Sequence, residues 1–407
     1  MAEQMRWLYL EPYVFFNFNG KSALLFNELN NAYLEYENIE DEVFLYLCEQ
    51  LSNNENNYCI PIEKKDVTNY FFNEFVRDLK RTYSGDFVYA SSLAKPFITK
   101  PQIFVNNSIE YLKRDSFFSI GYKSKLYLVE LTIHTGSYEL KNKCKGVFSN
   151  YNKTLNKSTI NKILDKLSHE VFEYRNLRSI NLICYPNTDM LSLIDFIKNV
   201  SSHFDTTIHM ELSHYLVLDK RNHYDNLKYN LYIDSKMEMN QLLNKSILLN
   251  ENIRLCIFVN DEELLSIALT LCDSLHNHVE IIPQYINNID FFNKNVFLSK
   301  DDIFNNQSLT IHKILTNGLL NRIFWGKIVV NSNGNICPHN SIISSNLSII
   351  HNSLDEAIID ELNGSKTWFL KRNDVKPCKD CLYCLICPPI SEYELELGRF
   401  NLCNINN

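Results

Sequence analysis

From residue 126 to residue 285, strand candidates alternate with helix candidates, and no other feature restricts the fold as tightly. LYLVELTI (126–133) precedes a helical pattern near 158–173, and SINLICY (179–185) precedes one near 187–199. TTIHMEL (206–212) and YNLYID (229–234) follow, then a helix near 236–245, RLCIFV (254–259), a helix near 261–274 and VEIIPQY (279–285). Parallel strands require long crossovers, and a helix between consecutive strands supplies them. The expected class is therefore α/β. Five or six units are too few to close an eight-fold barrel, so the expectation is a partial barrel or an open curved sheet.

The N-terminal texture differs. Tyr13 to Phe18 and Ala23 to Phe26 read as two strands, and Asn19-Gly20 between them suits a type I′ turn. A helix is expected near Glu40 to Leu51, with Val43, Phe44, Leu47 and Leu51 on one stripe. A strand over Tyr58 to Ile62 and a helix over Lys65 to Arg81 follow, the latter presenting Val67, Phe71, Phe75 and Leu79. Such a mixture within about 90 residues predicts a small α+β domain, winged-helix-like. Towards the other end, IVVNSNGNICP (328–338) reads as a hairpin turning at Asn333-Gly334, and a helix over Leu354 to Leu362 stops at Asn363-Gly364.

Four of the twelve cysteines fall within ten residues, at positions 378, 381, 384 and 387, and two prolines follow. The first residues do not form a signal peptide, because Glu11 and Pro12 interrupt a short apolar run. No apolar stretch approaches the ~20 residues that span a bilayer. A cytoplasmic setting is expected, where clustered cysteines bind metal or do redox chemistry more often than they form disulfides. The net charge of −8 leaves no basic footprint for nucleic acid. Zinc sites usually use two well-separated C-x2-C pairs, whereas here only two residues separate the pairs. A [4Fe–4S] cube offers four separate iron corners that closely spaced and remote thiolates can share. The spacing favours the cube and leaves zinc as the alternative.

The run also reads Cys378-x2-Cys381-x5-Cys387-x3-Ser391, with Cys403 downstream in SEYELELGRFNLC. This resembles the SPASM domain, the C-terminal extension of peptide-modifying radical SAM enzymes, whose hallmark is C-x2-C-x5-C-x3-C followed by a further cysteine. The resemblance implies that Cys378, Cys381, Cys387 and Cys403 hold one [4Fe–4S] cluster. It implies too that the x3 position, Ser391 here, serves a second cluster. Upstream only Cys337 lies in the hairpin where further ligands are expected, so the second cluster is expected to be lost. Cys384 falls outside the pattern and reads as an alternative ligand, a spare thiol or a packing residue. Cys337 and His339 form a weak Cys/His pair.

Radical SAM chemistry needs a C-x3-C-x2-C loop after the first barrel strand, and the chain has none. With Thr132 aligned to the threonine that often precedes that motif, Thr135, Glu139 and Asn142 occupy the three cysteine positions, and Cys144 stands alone. Neutral or carboxylate oxygens are poor ligands for a redox cube, which is normally held by thiolates. Together with the opening WLYLEPYVF, these features resemble the pseudo-radical-SAM/SPASM proteins of Bacteroidetes peptide-modification systems with Gly-Gly leaders. The resemblance implies a winged-helix-like peptide-recognition domain over 1–95, a degenerate radical-SAM-like partial (β/α)6 barrel over 120–323 and a SPASM iron–sulfur domain over 324–407. It implies no S-adenosylmethionine cluster and no radical catalysis. The expected partners are a precursor peptide and an active radical SAM enzyme or another maturase. Two alternatives stay open: an independent redox maturase using the cluster and a thiol, and a zinc-stabilised peptide-binding scaffold.

Overall fold

The computed structural model describes residues 5–90, 95, 124–135, 157–185, 188, 190–217, 227–244, 251–275, 278–305, 309–338, 347–364 and 367–405. The chain forms two compact units, each drawn from three stretches. One comprises Met1–Leu112, Lys300–Arg322 and Leu370–Ile390; the other comprises Lys113–Ser299, Ile323–Phe369 and Ser391–Asn407.

In the first unit, two three-stranded antiparallel sheets share a core with two helices. The strands are β1 (Met5–Leu10), β2 (Val14–Phe18), β3 (Ala23–Asn27), β4 (Ala32–Tyr36), β5 (Cys59–Pro61) and β6 (Gly85–Ala90), in the orders β5-β1-β6 and β2-β3-β4. The expected hairpin forms, but not through a type I′ turn: Phe18 pairs with Ala23, four residues connect the strands, and of Asn19 and Gly20 only Gly20 has positive φ (+93), while the Asn19 side chain accepts from the Ser22 amide at 2.9 Å. The two helices, Glu42–Ser52 and Tyr70–Arg81, begin where side chains satisfy their free amides. Asp41 accepts from the Phe44 amide and Asn69 from the Phe72 amide, and the Asn69 amide group donates to Asp41 as well. Leu8 and Leu10 of β1, Phe16 of β2 and Leu25 of β3 meet Phe44, Leu47, Leu51, Phe72, Phe75 and Leu79 of the helices.

The second helix begins at Tyr70 rather than Lys65, because Asp66–Thr68 forms a separate 3-10 turn, and its buried stripe differs too. Phe71 is 49% exposed and Phe72 is buried. The stripes 71/75/79 and 72/75/79 share two members, so periodicity alone does not separate them. The core lies on the Phe72 side, where Phe87 of β6 meets its ring edge-on at 5.3 Å.

The opposite face of β2-β3-β4 is covered as well. Phe15, Leu24 and Phe26 are buried there, in register with Asn17, Tyr33 and Glu35. Asn17 donates to the Leu382 carbonyl at 2.7 Å, and Tyr33 stacks on Phe304 at 4.0 Å. The 300–322 and 370–390 stretches thus pack on the meander that opens the chain.

The second unit carries β7 (Glu130–His134), β8 (Ser179–Ile183), β9 (Asp205–Glu211), β10 (Lys228–Ile233), β11 (Ile253–Val259), β12 (Val279–Pro283), β13 (Lys327–Val330) and β14 (Ile336–Cys337). Their order is β12-β11-β10-β9-β8-β7-β13-β14. β7 to β12 are parallel and neighbour one another in chain order, β13 adds parallel to β7, and β14 returns antiparallel. The α/β expectation holds. β7 starts later than LYLVELTI suggests, because Ser124–Leu126 forms a 3-10 turn. The expected Asn-Gly turn closes β13 on β14, with Gly334 at φ +83.

Register places Leu131, Ile133, Ile180, Leu182, Ile208, Met210, Leu231 and Ile257 on one face, all essentially inaccessible. The other face carries Thr132 and His134, Asn181, His209 and Glu211, Asn230 and Tyr232, Arg254 and Cys256, alongside a small apolar cluster of Ile183, Phe258 and Ile282. A parallel sheet covered on both sides for stability alone would be aliphatic on both. Among the described residues, no helix is long and apolar enough to cross a membrane.

Candidate metal centre

The cysteine run is wound as successive tight turns. The Cys381 amide donates to the Cys378 carbonyl at 3.0 Å, and the Cys384 amide to the Cys381 carbonyl at 3.3 Å. Cys378–Asp380 is a 3-10 turn. With three residues per turn, side chains at i and i+3 lie over one another. The C-x2-C spacing matches these turns, although the 3-10 turn itself ends at Cys381, whose backbone is extended, and Cys384 lies near enough to Cys381 and Cys378 to feel their charge. Burial, with Cys381 and Cys378 beside it, pushes the Cys384 thiol up to about 12. Cys387 follows in the same stretch, its amide bound to the Tyr383 carbonyl at 2.9 Å. Cys378, Cys384 and Cys387 are buried, and Cys381 is half-buried.

The run is held from outside by side-chain donors to its carbonyls. Asn317, 6% exposed at the end of the helix Ile311–Asn317, donates to Leu385 at 2.9 Å and to Cys387 at 3.1 Å. Asn321 donates to Ile390 at 2.9 Å, and Asn17 of β2 to Leu382. Buried carbonyls without partners are costly, so these asparagines hold the loop's shape. Between Cys381 and Cys384, the Tyr383 hydroxyl donates to Glu35 of β4. Lys300 pairs with the same carboxylate and lies 5.7 Å from the Tyr383 ring centroid. Burial and then Glu35 push the Tyr383 phenol well above its ordinary value.

Soft thiol donors suit an iron–sulfur cluster or zinc. Among the described residues, no three His, Cys, Asp or Glu side chains gather as a single ion requires. Zinc would need all its sulfurs at about 2.3 Å from one point, whereas the thiolates of a cube attach at separate irons. The thiol donors of the run are of the kind both groups take, and the 8%-exposed guanidinium of Arg372 lies 3.6 Å from Cys378 Sγ.

The other residues singled out in the sequence lie elsewhere. Cys403 belongs to the second unit, paired through its backbone with Leu298. Ser391 caps the helix Glu392–Leu397: its hydroxyl accepts from the Glu394 amide, and the Glu394 carboxylate accepts from the Ser391 amide at 2.8 Å. This capping box is legible as S-x-x-E. Cys337 is buried in β14. Thr135 is 3% exposed and commits its hydroxyl to the Ile183 carbonyl at 2.9 Å. Glu139, Asn142, Cys144 and His339 lie outside the described residues.

Sequence reasoning missed a second polar arrangement, on the sheet's polar face. His134 Nδ1 and the Tyr185 hydroxyl are 2.8 Å apart, and His209 Nδ1 and the Tyr232 hydroxyl are 3.0 Å apart. Each pair joins a histidine to a tyrosine two residues beyond the position in register with it, Tyr232 within β10 and Tyr185 just past the end of β8. His209 Nε2 is 3.3 Å from Asn181 Oδ1. An amide oxygen only accepts, so Nε2 carries the proton and Nδ1 accepts from Tyr232. Burial, then His134, lowers the His209 pKa to about 3. The available signal was the repeated Thr-Ile-His at 132–134 and 207–209.

No family model matches the chain, and no curated protein matches it.

Proposed function

We propose that this chain is a catalytically degenerate radical-SAM-like protein carrying one SPASM-type [4Fe–4S] cluster. It acts as a precursor-peptide-binding component, or as the partner of an active radical SAM enzyme or another maturase, in the maturation of a ribosomally made peptide. The observation that carries the reading is the combination of a turn-wound thiol run with a sheet of six parallel strands in chain order. After the first of those strands comes Thr135, already committed to a backbone carbonyl, where the radical motif would open with a cysteine.

Cys378, Cys381 and Cys387 are the proposed thiolates, with Cys403 as the fourth by the resemblance. A bound cluster would supply either rigidity or one-electron transfer. Asn317, Asn321 and Arg372 orient the run by binding its carbonyls. For the peptide, β4 is the candidate sheet edge, where an added strand would bind outward main-chain groups, whereas the outward Phe16 amide of β2 already donates to the Tyr58 hydroxyl at 3.2 Å. Where β4 ends, a groove of about 610 Å³ is lined by Tyr36, Ile39, Phe44 and the exposed Phe71. Glu37, Asn38, Glu40 and Asp41 line the rest, so the groove suits a peptide that offers apolar side chains to one part and basic or polar ones to the other.

The test is anaerobic purification, followed by S-adenosylmethionine and a strong reductant. No 5′-deoxyadenosine is expected; its formation would refute the pseudoenzyme reading. Cys378→Ala and Cys403→Ala should each remove most of the iron and Cys384→Ala much less, and equal loss from Cys384→Ala overturns the ligand choice. Zinc without sulfide would favour the scaffold reading.

A further inference from the structure

One side chain closes the cysteine run on itself. Arg372 Nε donates to the Pro388 carbonyl at 2.5 Å and Nη2 to the Pro389 carbonyl at 3.4 Å, while Nη1 faces Cys378 Sγ at 3.6 Å. These partners lie at opposite ends of the run: its first thiol, and the two carbonyls directly after its last thiol, Cys387. Arg372 is 8% exposed and opens the 3-10 turn Arg372–Asp374, so its backbone is as fixed as its head group. The guanidinium is a rigid planar fork with donors on three nitrogens. A lysine supplies the charge but cannot reach two carbonyls and a sulfur at once.

We propose that Arg372 is the positioning residue of the metal centre: it sets the spacing between the first and last thiols and holds a permanent positive charge against the Cys378 sulfur. This rests on the iron–sulfur reading. A cluster's potential follows the charge and hydrogen bonding at its sulfurs. A cation at one ligand sulfur favours the more negative, reduced state and raises the potential.

The experiment compares the full chain with Arg372→Gln and Arg372→Lys, all purified anaerobically. Iron and sulfide are assayed, resistance to a chelator is measured, folding is checked by circular dichroism, and the midpoint potential is taken by a dye-mediated titration. Arg372→Gln is expected to hold iron about 10-fold less tightly, as loss of an orienting partner does. Its remaining cluster should show a reduced-to-oxidised ratio about tenfold lower at fixed potential, ~59 mV more negative for a one-electron couple. Arg372→Lys should recover the potential but not the iron affinity.

Wild-type affinity and potential in Arg372→Gln overturn the proposal. If that variant does not fold, Arg372→Lys decides, and wild-type iron affinity in it overturns the proposal. Absence of iron and sulfide from the wild-type chain overturns the metal reading itself, and the proposal with it. Metal-replete protein with unmoved variants overturns the role of Arg372 alone.

Discussion

His209 makes the second unit acid-sensitive in a way that can be calculated. Its imidazole is 8% exposed, bridges Tyr232 and Asn181, and has a pKa of about 3 against 6.5 in an unfolded chain. The folded pKa is the lower one, so the unfolded chain binds the extra proton. Stability is complete above pH 6.5 and is lost as the pH falls from there towards 3. Each unit in that window costs about 1.4 kcal/mol, and between pH 7 and pH 5 the loss is about 2 kcal/mol. Urea titrations at both pH values measure it. Tryptophan fluorescence in a Trp7→Phe background reports the second unit, which holds the other two tryptophans, Trp325 and Trp368. His209→Gln loses stability at both pH values, but its pH dependence should be flatter than that of the wild type by the same 2 kcal/mol. Carboxylates titrate alike in both proteins and cancel. Equal pH dependence in the two proteins would refute the buried, neutral imidazole.

Two further outcomes concern the first unit. Phe72→Ala should cost about 3–5 kcal/mol, the range for a buried aromatic, and Phe71→Ala little, as the two exposures dictate. Urea midpoints distinguish them, and the reverse order would restore the register read from periodicity. Tyr383→Phe removes a hydrogen bond to a carboxylate that is 10% exposed, worth about 1.5–3 kcal/mol. Glu37→Gln removes only a loose pair with Lys300 at 3.6 Å and should shift the midpoint far less; equal shifts would show that Tyr383 does not hold the cysteine run to β4.

What could be read in the sequence was local. Alternation in period gave the parallel units, and Asn-Gly pairs gave both hairpins, because glycine alone enters the required backbone region without strain. The thiol spacing matched the tight turns at 378–384, since three-residue spacing and three-residue turns reinforce one another. Long-range partners were not legible. Nothing near Arg372 in the chain announces that it will bind carbonyls sixteen and seventeen residues later. Asn17 and Glu35 reach the cysteine run across more than three hundred residues. The choice between Phe71 and Phe72 depended on where β6 lies, and the His–Tyr pairs on strand register.

We propose that Cys378, Cys381 and Cys387, with Cys403, hold an iron–sulfur cube. Iron and acid-labile sulfide per chain, assayed after strictly anaerobic purification, test it most directly. About four of each are expected, the content of one [4Fe–4S] cluster. Stoichiometric zinc with no sulfide, or no metal at all, would contradict it.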